Sequence, residues 1–146
     1  MMQRLSSSSR ILMIAVLAIL PLGAIGSSLA TSPADIPVRT VKAWLHHVDA
    51  LQYEASWTEA SPFLQQHIAK QEWKRILNST RAPIGTVIAR RHMVTQYASH
   101  LSGIPDGTYA ILQFDSQFTG KDSMTETVVF SRESDGTWRA LGYSMK

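Results

Sequence analysis

The spacing of apolar residues changes once along this chain, and that change sets the expected architecture. Val38, Val41, Leu45 and Val48 recur at steps of three and four with Trp44 beside them, the rhythm of one buried helical face. Asp35 just before the run and Pro37 near its first turn suit a helix start. Tyr53, Trp57 and Ala60 keep the same spacing in a second helical segment. Ser61-Pro62 then reads as an N-cap followed by proline at the first helical position, restarting a short turn through Phe63, Leu64 and Ile68. Trp73, Ile76, Leu77 and Thr80 give the third amphipathic helix. It ends at Ala82-Pro83-Ile84-Gly85, because the residue before a proline disfavours helix and the glycine breaks it further.

From Thr86 the period becomes two. Val87 to Tyr97 is rich in strand formers, and Tyr109 to Phe118 alternates with Ala110, Leu112, Phe114 and Phe118 on one face. Thr125 to Ser131 alternates with Val128 and Phe130 on one face, and Trp138 to Met145 closes the chain as a fourth strand. Gly103-Ile104-Pro105-Asp106-Gly107 joins the first two strands, Thr119 to Ser123 the next two, and Asp135-Gly136 is a favoured hairpin dipeptide. Arg90, Arg91 and His92 interrupt both faces of the first strand, so its parity stays open. The expected fold class is α+β: three N-terminal helical segments packed on a curved antiparallel sheet of about four strands. Long strands twist and curl, which suggests a cone-like enclosure whose open end would form a cleft.

The region before residue 31 belongs to a different class. Arg4 and Arg10 flank a serine run, Ile11 to Leu20 is unbroken apolar, and Ser28-Leu29-Ala30 presents small residues where a signal peptidase reads. Residues 1–30 are therefore expected to be a secretory signal peptide cleaved after Ala30, with 31–37 a short lead and 38–146 a single domain. The apolar run falls short of the roughly 20 residues of a spanning helix, so an uncleaved inner-membrane anchor is the weaker alternative. Localisation is then exported, periplasmic or secreted, with no stable membrane insertion after cleavage.

Only here does charge matter. The whole chain has 14 basic and 11 acidic residues, and losing Arg4 and Arg10 leaves 12 against 11, a net of +1. That is no footprint for nucleic acid. The 146 residues contain no cysteine, which excludes disulfides, a thiol nucleophile and a Cys-bound metal.

The order of residues resembles a known family. Ala43-Trp44-Leu45, Val48-Asp49-Ala50, Tyr53, Ser56-Trp57, Gln71-Glu72-Trp73, Arg81-Ala82-Pro83-Ile84-Gly85 and Arg90 are similar to the bacterial family named domain of unknown function 4019. In the second half Pro105-Asp106-Gly107-Thr108-Tyr109, Phe118, Lys121, Glu126-Thr127, Asp135-Gly136-Thr137-Trp138 and Gly142-Tyr143 extend the likeness, which covers about Val38 to Tyr143. The resemblance implies a small exported bacterial protein with a layout similar to the nuclear-transport-factor-2-like cone, and no established reaction. Ala69 departs from the pattern, standing where such sequences usually offer a Ser or Thr cap.

Candidate chemistry is sparse. Of the five histidines, adjacent His46 and His47 point about 100° apart on a helix. His46 and Asp49 could meet, but two ligands make no site, and His67, His92 and His100 are scattered. No metal and no cofactor are expected. Nucleophile-elbow, phosphate-loop and dinucleotide motifs are absent, and Asn78-Ser79-Thr80 is a chance glycosylation match on a helix. The aromatic residues Trp44, Tyr53, Trp57, Trp73, Trp138 and Tyr143 read either as core or as a cleft wall, with core preferred.

Glu126 shares the apolar strand face with Val128 and Phe130, so its carboxylate should point inward. It must then be paired, with Arg81, Arg90 or the Tyr143 hydroxyl as candidates, or sit unpaired in a cleft as a general base. The paired, structural reading is preferred, which leaves Glu126 a weak catalytic candidate. Asp115 falls on the opposite, solvated face. The candidate ligand-binding set is Trp44, Tyr53, Trp57, Arg90, Glu126 and Tyr143. The function expected is a non-catalytic binding or accessory protein of the envelope, recognising a small ligand or an envelope protein. The alternatives are a small-molecule acid–base enzyme (lyase, isomerase or hydrolase) using Glu126, with Tyr143 or Arg90 stabilising charge, and a homodimer pairing its sheets.

Overall fold

A computed structural model describes residues 35–146. The expected leader and most of the lead segment lie outside the described residues. Among the described residues four helices precede four strands: α1 (Val38–Asp49), α2 (Tyr53–Thr58), α3 (Pro62–His67), α4 (Lys70–Arg81), β1 (Val87–Ala98), β2 (Tyr109–Phe118), β3 (Lys121–Arg132) and β4 (Trp138–Met145). The expectation of three helical segments is corrected to four. The turn after Ser61-Pro62 is a helix of its own, with the Ser61 hydroxyl accepting from Leu64 N at 3.1 Å. That cap satisfies one of the free amides that would otherwise oppose so short a helix. At the start of α4, Ala69 makes no side-chain cap bond.

The strands form one antiparallel open sheet in the order β1-β2-β3-β4. β3 starts at Lys121, four residues earlier than expected, because Thr119 and Gly120 alone make the turn from β2. Gly120 N donates to Ile84 O at 3.0 Å, and a Cβ on Gly120 would stand 3.1 Å from that oxygen, so the close approach favours glycine. The junction of α2 and α3 docks on the β4 edge: Ala60 bridges Ala140, and Ser61 N donates to Ala140 O at 2.8 Å.

The main core lies between the helices and one sheet face. Val41, Trp44, Leu45, Val48, Leu64, Trp73 and Leu77 meet Ala110, Leu112, Phe114, Val128, Phe130 and Ala140. The other sheet face carries a second, smaller core, in which Leu101 and Ile104 of the β1–β2 loop cover Tyr109, Ile111, Val129 and Leu141.

Bulges decide which side chains face which core. On β1 the register shifts at Ile88 and Met93, so Arg90 pairs with Ser116, His92 with Phe114 and Thr95 with Leu112, all on the helix face. This settles the parity left open by the sequence, since an extra residue restarts the alternation twice. Ile88 and Met93, 64% and 53% exposed, stand out from the β1 edge, where bulges hinder pairing with a further strand. On β4 the shift falls at Leu141: Phe130 pairs with Ala140, Val129 with Gly142 and Val128 with Tyr143. Ala140 and Tyr143 therefore share the helix face although they are three residues apart.

Candidate functional site: a closed ion-pair network and an open cleft

The interface between α1 and the sheet has two unlike ends. At the C-terminal end of α1, five polar side chains from five elements meet: Asp49 (α1), Arg81 (α4), Arg90 (β1), Glu126 (β3) and Tyr143 (β4). Ser116 of β2 joins them. Glu126 is fully buried. Its Oε2 accepts from Arg90 Nε and from the Ser116 hydroxyl, each at 2.5 Å. Its Oε1 accepts from the Tyr143 hydroxyl at 2.6 Å, Arg90 Nη2 at 3.0 Å and Arg81 Nη1 at 3.3 Å. Asp49 binds the same two guanidiniums: Oδ1 accepts from Arg81 Nη2 at 3.0 Å and Arg90 Nη2 at 2.9 Å, and Oδ2 from Arg90 Nη1 at 2.8 Å.

Two positive and two negative groups balance, and that balance is what makes burial tolerable. A lone buried charge would cost several kcal/mol, about as much as a small domain has to spare. Arg81 is further held with its guanidinium carbon 4.7 Å from the Phe118 ring centre. Burial alone would lower the pKa of Arg90, but the bonds to Asp49 and Glu126 raise it on balance. The Tyr143 phenol is pushed well above its ordinary value by burial first and the Glu126 charge second.

The sequence reading named Arg81, Arg90 and Tyr143 as partners for Glu126, and all three contact it. It missed Asp49 and Ser116. Ser116 was detectable, for it shares parity with Leu112 and Phe114. Asp49 was not, since a carboxylate in the last turn of a helix is ordinarily solvated. Its oxygens go to the two arginines, so the meeting with His46 weighed from spacing does not form. His47 instead faces Gln52 and Glu59, and His92 contacts Thr95. Among the described residues no group of three or more His, Asp or Glu side chains could hold a metal ion. Asp115 lies on the outer sheet face, bonded to Arg91 and Ser123.

At the N-terminal end of α1 the interface opens into a cleft of about 410 Å³. Arg39, Thr40 and Ala43 of α1 form one wall. Trp44 and Phe130, both almost fully buried, and the half-buried Trp138 give it an aromatic floor, and Glu59, just past α2, completes the lining. Trp44 is fixed: Nε1 donates to Ser56 O at 2.9 Å, and its ring meets Phe130 edge-on at 6.0 Å between centres.

Of the six ligand-facing candidates chosen from sequence, only Trp44 lines this cleft. Tyr53 is buried in the main core. Trp57 packs against that core with Nε1 donating to Ile68 O at 2.8 Å. Arg90, Glu126 and Tyr143 belong to the network. Trp138, expected as core or cleft wall, lines the cleft, whereas Arg39 and Glu59 were not expected there, because a half-open wall built from α1, the end of α2 and β4 leaves no local signal.

A helical layer on one face of an open antiparallel sheet, with a neutralised polar network at one end and an open cleft at the other, defines a small α+β domain. The chain belongs to the family described as protein of unknown function (DUF4019), whose model matches residues 40–143. No curated protein and no solved structure matches it. Among the described residues, no helix is long and apolar enough to cross a membrane.

Proposed function

We propose that this is an exported envelope protein that binds a small ligand in the cleft at the start of α1 and does not transform it. The observation that carries the reading is the contrast in satisfaction between the two polar regions. Every lone pair that Glu126 could offer a substrate is taken by five donors, and the residue has no exposed surface. A general base must reach its proton within hydrogen-bond distance, directly or through one water. The acid–base alternative therefore has no free group at Glu126. The cleft, by contrast, pairs aromatic surface with a few polar groups, the usual composition of a small-ligand site, and its volume lies in the usual range. The cone mouth suggested by strand curl corresponds in this reading to that opening. Export rests on the leader pattern of residues 1–30.

Trp44 and Trp138 make the test direct. The purified protein is titrated with a panel of amino acids, short peptides, sugars and aromatic acids while tryptophan fluorescence is followed. The expected result is a saturable change with at least one class, lost in Trp138→Ala, and no consumption of the compound. A saturable change untouched by Trp138→Ala, or turnover of the bound compound, would refute the reading.

A further inference from the structure

Arg39 and Glu59 line the same cleft with opposite charge, yet no ion pair joins them. Arg75, Arg81, Arg90 and Arg91 each meet a carboxylate, whereas Arg39, like Arg132 and Arg139, forms no ion pair among the described residues. Arg39 and its neighbour Thr40 have no side-chain hydrogen bond among the described residues. Glu59 uses Oε1 on His47 Nε2 at 3.1 Å, and His47 spends its other ring nitrogen on Gln52, so Oε2 of Glu59 is left for another donor. The cleft lining thus offers donors on α1 and an acceptor past α2, together with Trp44, Phe130 and Trp138.

Resting on the cleft reading above, we propose that the ligand is a short peptide with free termini. Its carboxylate binds Arg39 and Thr40, its ammonium binds Glu59, and an apolar side chain lies on the aromatic floor. The physical reason is charge complementarity. A neutral apolar ligand would answer neither charge, and a singly charged ligand only one of them. A zwitterion answers both. Arg39 and Glu59 sit on separate elements and form no ion pair, which favours a ligand whose two charges are spaced along its backbone. A peptide meets that condition, whereas a free amino acid carries both charges on one carbon. An ammonium near the indole faces gains further from their negative potential, and an apolar side chain there is removed from water.

The test uses L-alanyl-L-phenylalanine, its N-acetyl form, its C-terminal amide and free L-phenylalanine, each titrated by tryptophan fluorescence and calorimetry. The free dipeptide is expected to bind, with each of the other three compounds weaker by at least about tenfold, the effect of losing one charged contact. Arg39→Gln should erase the preference for the acid over the amide, and Glu59→Gln the preference for the free amine over the acetyl form. Both residues are exposed, so these variants should keep the wild-type circular dichroism and melting temperature. Blocked peptides that bind as tightly as the free one, with binding still lost in Trp138→Ala, would overturn the peptide-zwitterion inference and leave the cleft reading intact. Free phenylalanine binding as tightly as the dipeptide would do the same. Failure of these four and of the wider panel to bind would overturn both.

Discussion

The two ends of the α1–sheet interface use similar residue types to opposite effect. At the Asp49 end, arginine, carboxylate and phenol meet one another and close the space. At the Arg39 end, arginine and carboxylate flank an aromatic floor without meeting, and the space remains open. The difference lies in where the chain holds the groups. Arg81, Arg90 and Glu126 project from α4 and the helix face of the sheet into a dry layer, where an unpaired charge is costly. Arg39 and Glu59 lie at a helix start and just past a helix end, where water serves each of them. Charged residues are thus informative here only together with burial. In the dry layer they specify packing, and at the rim they are available to a partner.

The comparison predicts a graded series of variants. Glu126→Ala leaves two buried guanidiniums facing one carboxylate and should cost about 3–5 kcal/mol in urea unfolding. A loss under about 1 kcal/mol would mean that the network is no structural keystone.

Tyr143→Phe removes the hydrogen bond donated to the Glu126 charge and the one accepted from Arg81 Nη1 at 3.1 Å, and should cost about 1.5–3 kcal/mol at neutral pH. It should also change the alkaline limb. The folded-state pKa of Tyr143 lies above the ordinary value of 10.0, so the phenol keeps its proton in the fold after the unfolded chain has lost it. Its contribution is therefore complete below pH 10.0 and declines as pH rises beyond that value. The melting temperature of wild type should fall above that point, and Tyr143→Phe should fall less steeply. Tyr53, Tyr97 and Tyr109, whose pKa values burial also raises, supply the remaining slope.

Smallest of all, Arg39→Gln should shift unfolding free energy by less than about 0.5 kcal/mol, since its exposed side chain makes no hydrogen bond or ion pair among the described residues. An effect as large as that of Glu126→Ala would erase the distinction between a structural end and an available end.

Much of this was legible in the chain. The change of period at Thr86 separates helices from strands, and each strand contains its expected stretch. Glu126 was legible because a carboxylate in step with Val128 and Phe130 contradicts its neighbours. Arg81 and Arg90 followed as charges able to answer it. Other features had no sequence signature. A bulge inserts one residue without altering composition, so the parity of β1 and the joint inward facing of Ala140 and Tyr143 were hidden. The aromatic set misled for a related reason. Tyr53 and Trp57 have helical spacing, which a core stripe and a cleft wall share. Only the packing of α2 against α1 and α4 tells them apart, and it puts Tyr53 in the core and Trp57 against it.

The Leu141 bulge makes β4 unequally tolerant of changes in chain length. Deleting Leu141 would iron the strand into regular alternation with Ala140 and Tyr143 still inward, removing one apolar member from the outer cluster and sparing the phenol–carboxylate bond. Adding one residue between Gly142 and Tyr143 would rotate the phenol outward and strand Glu126 with one donor fewer. Among relatives, a shortened β4 is compatible with Tyr143 in its present role, whereas a lengthened one requires a compensating change at the carboxylate.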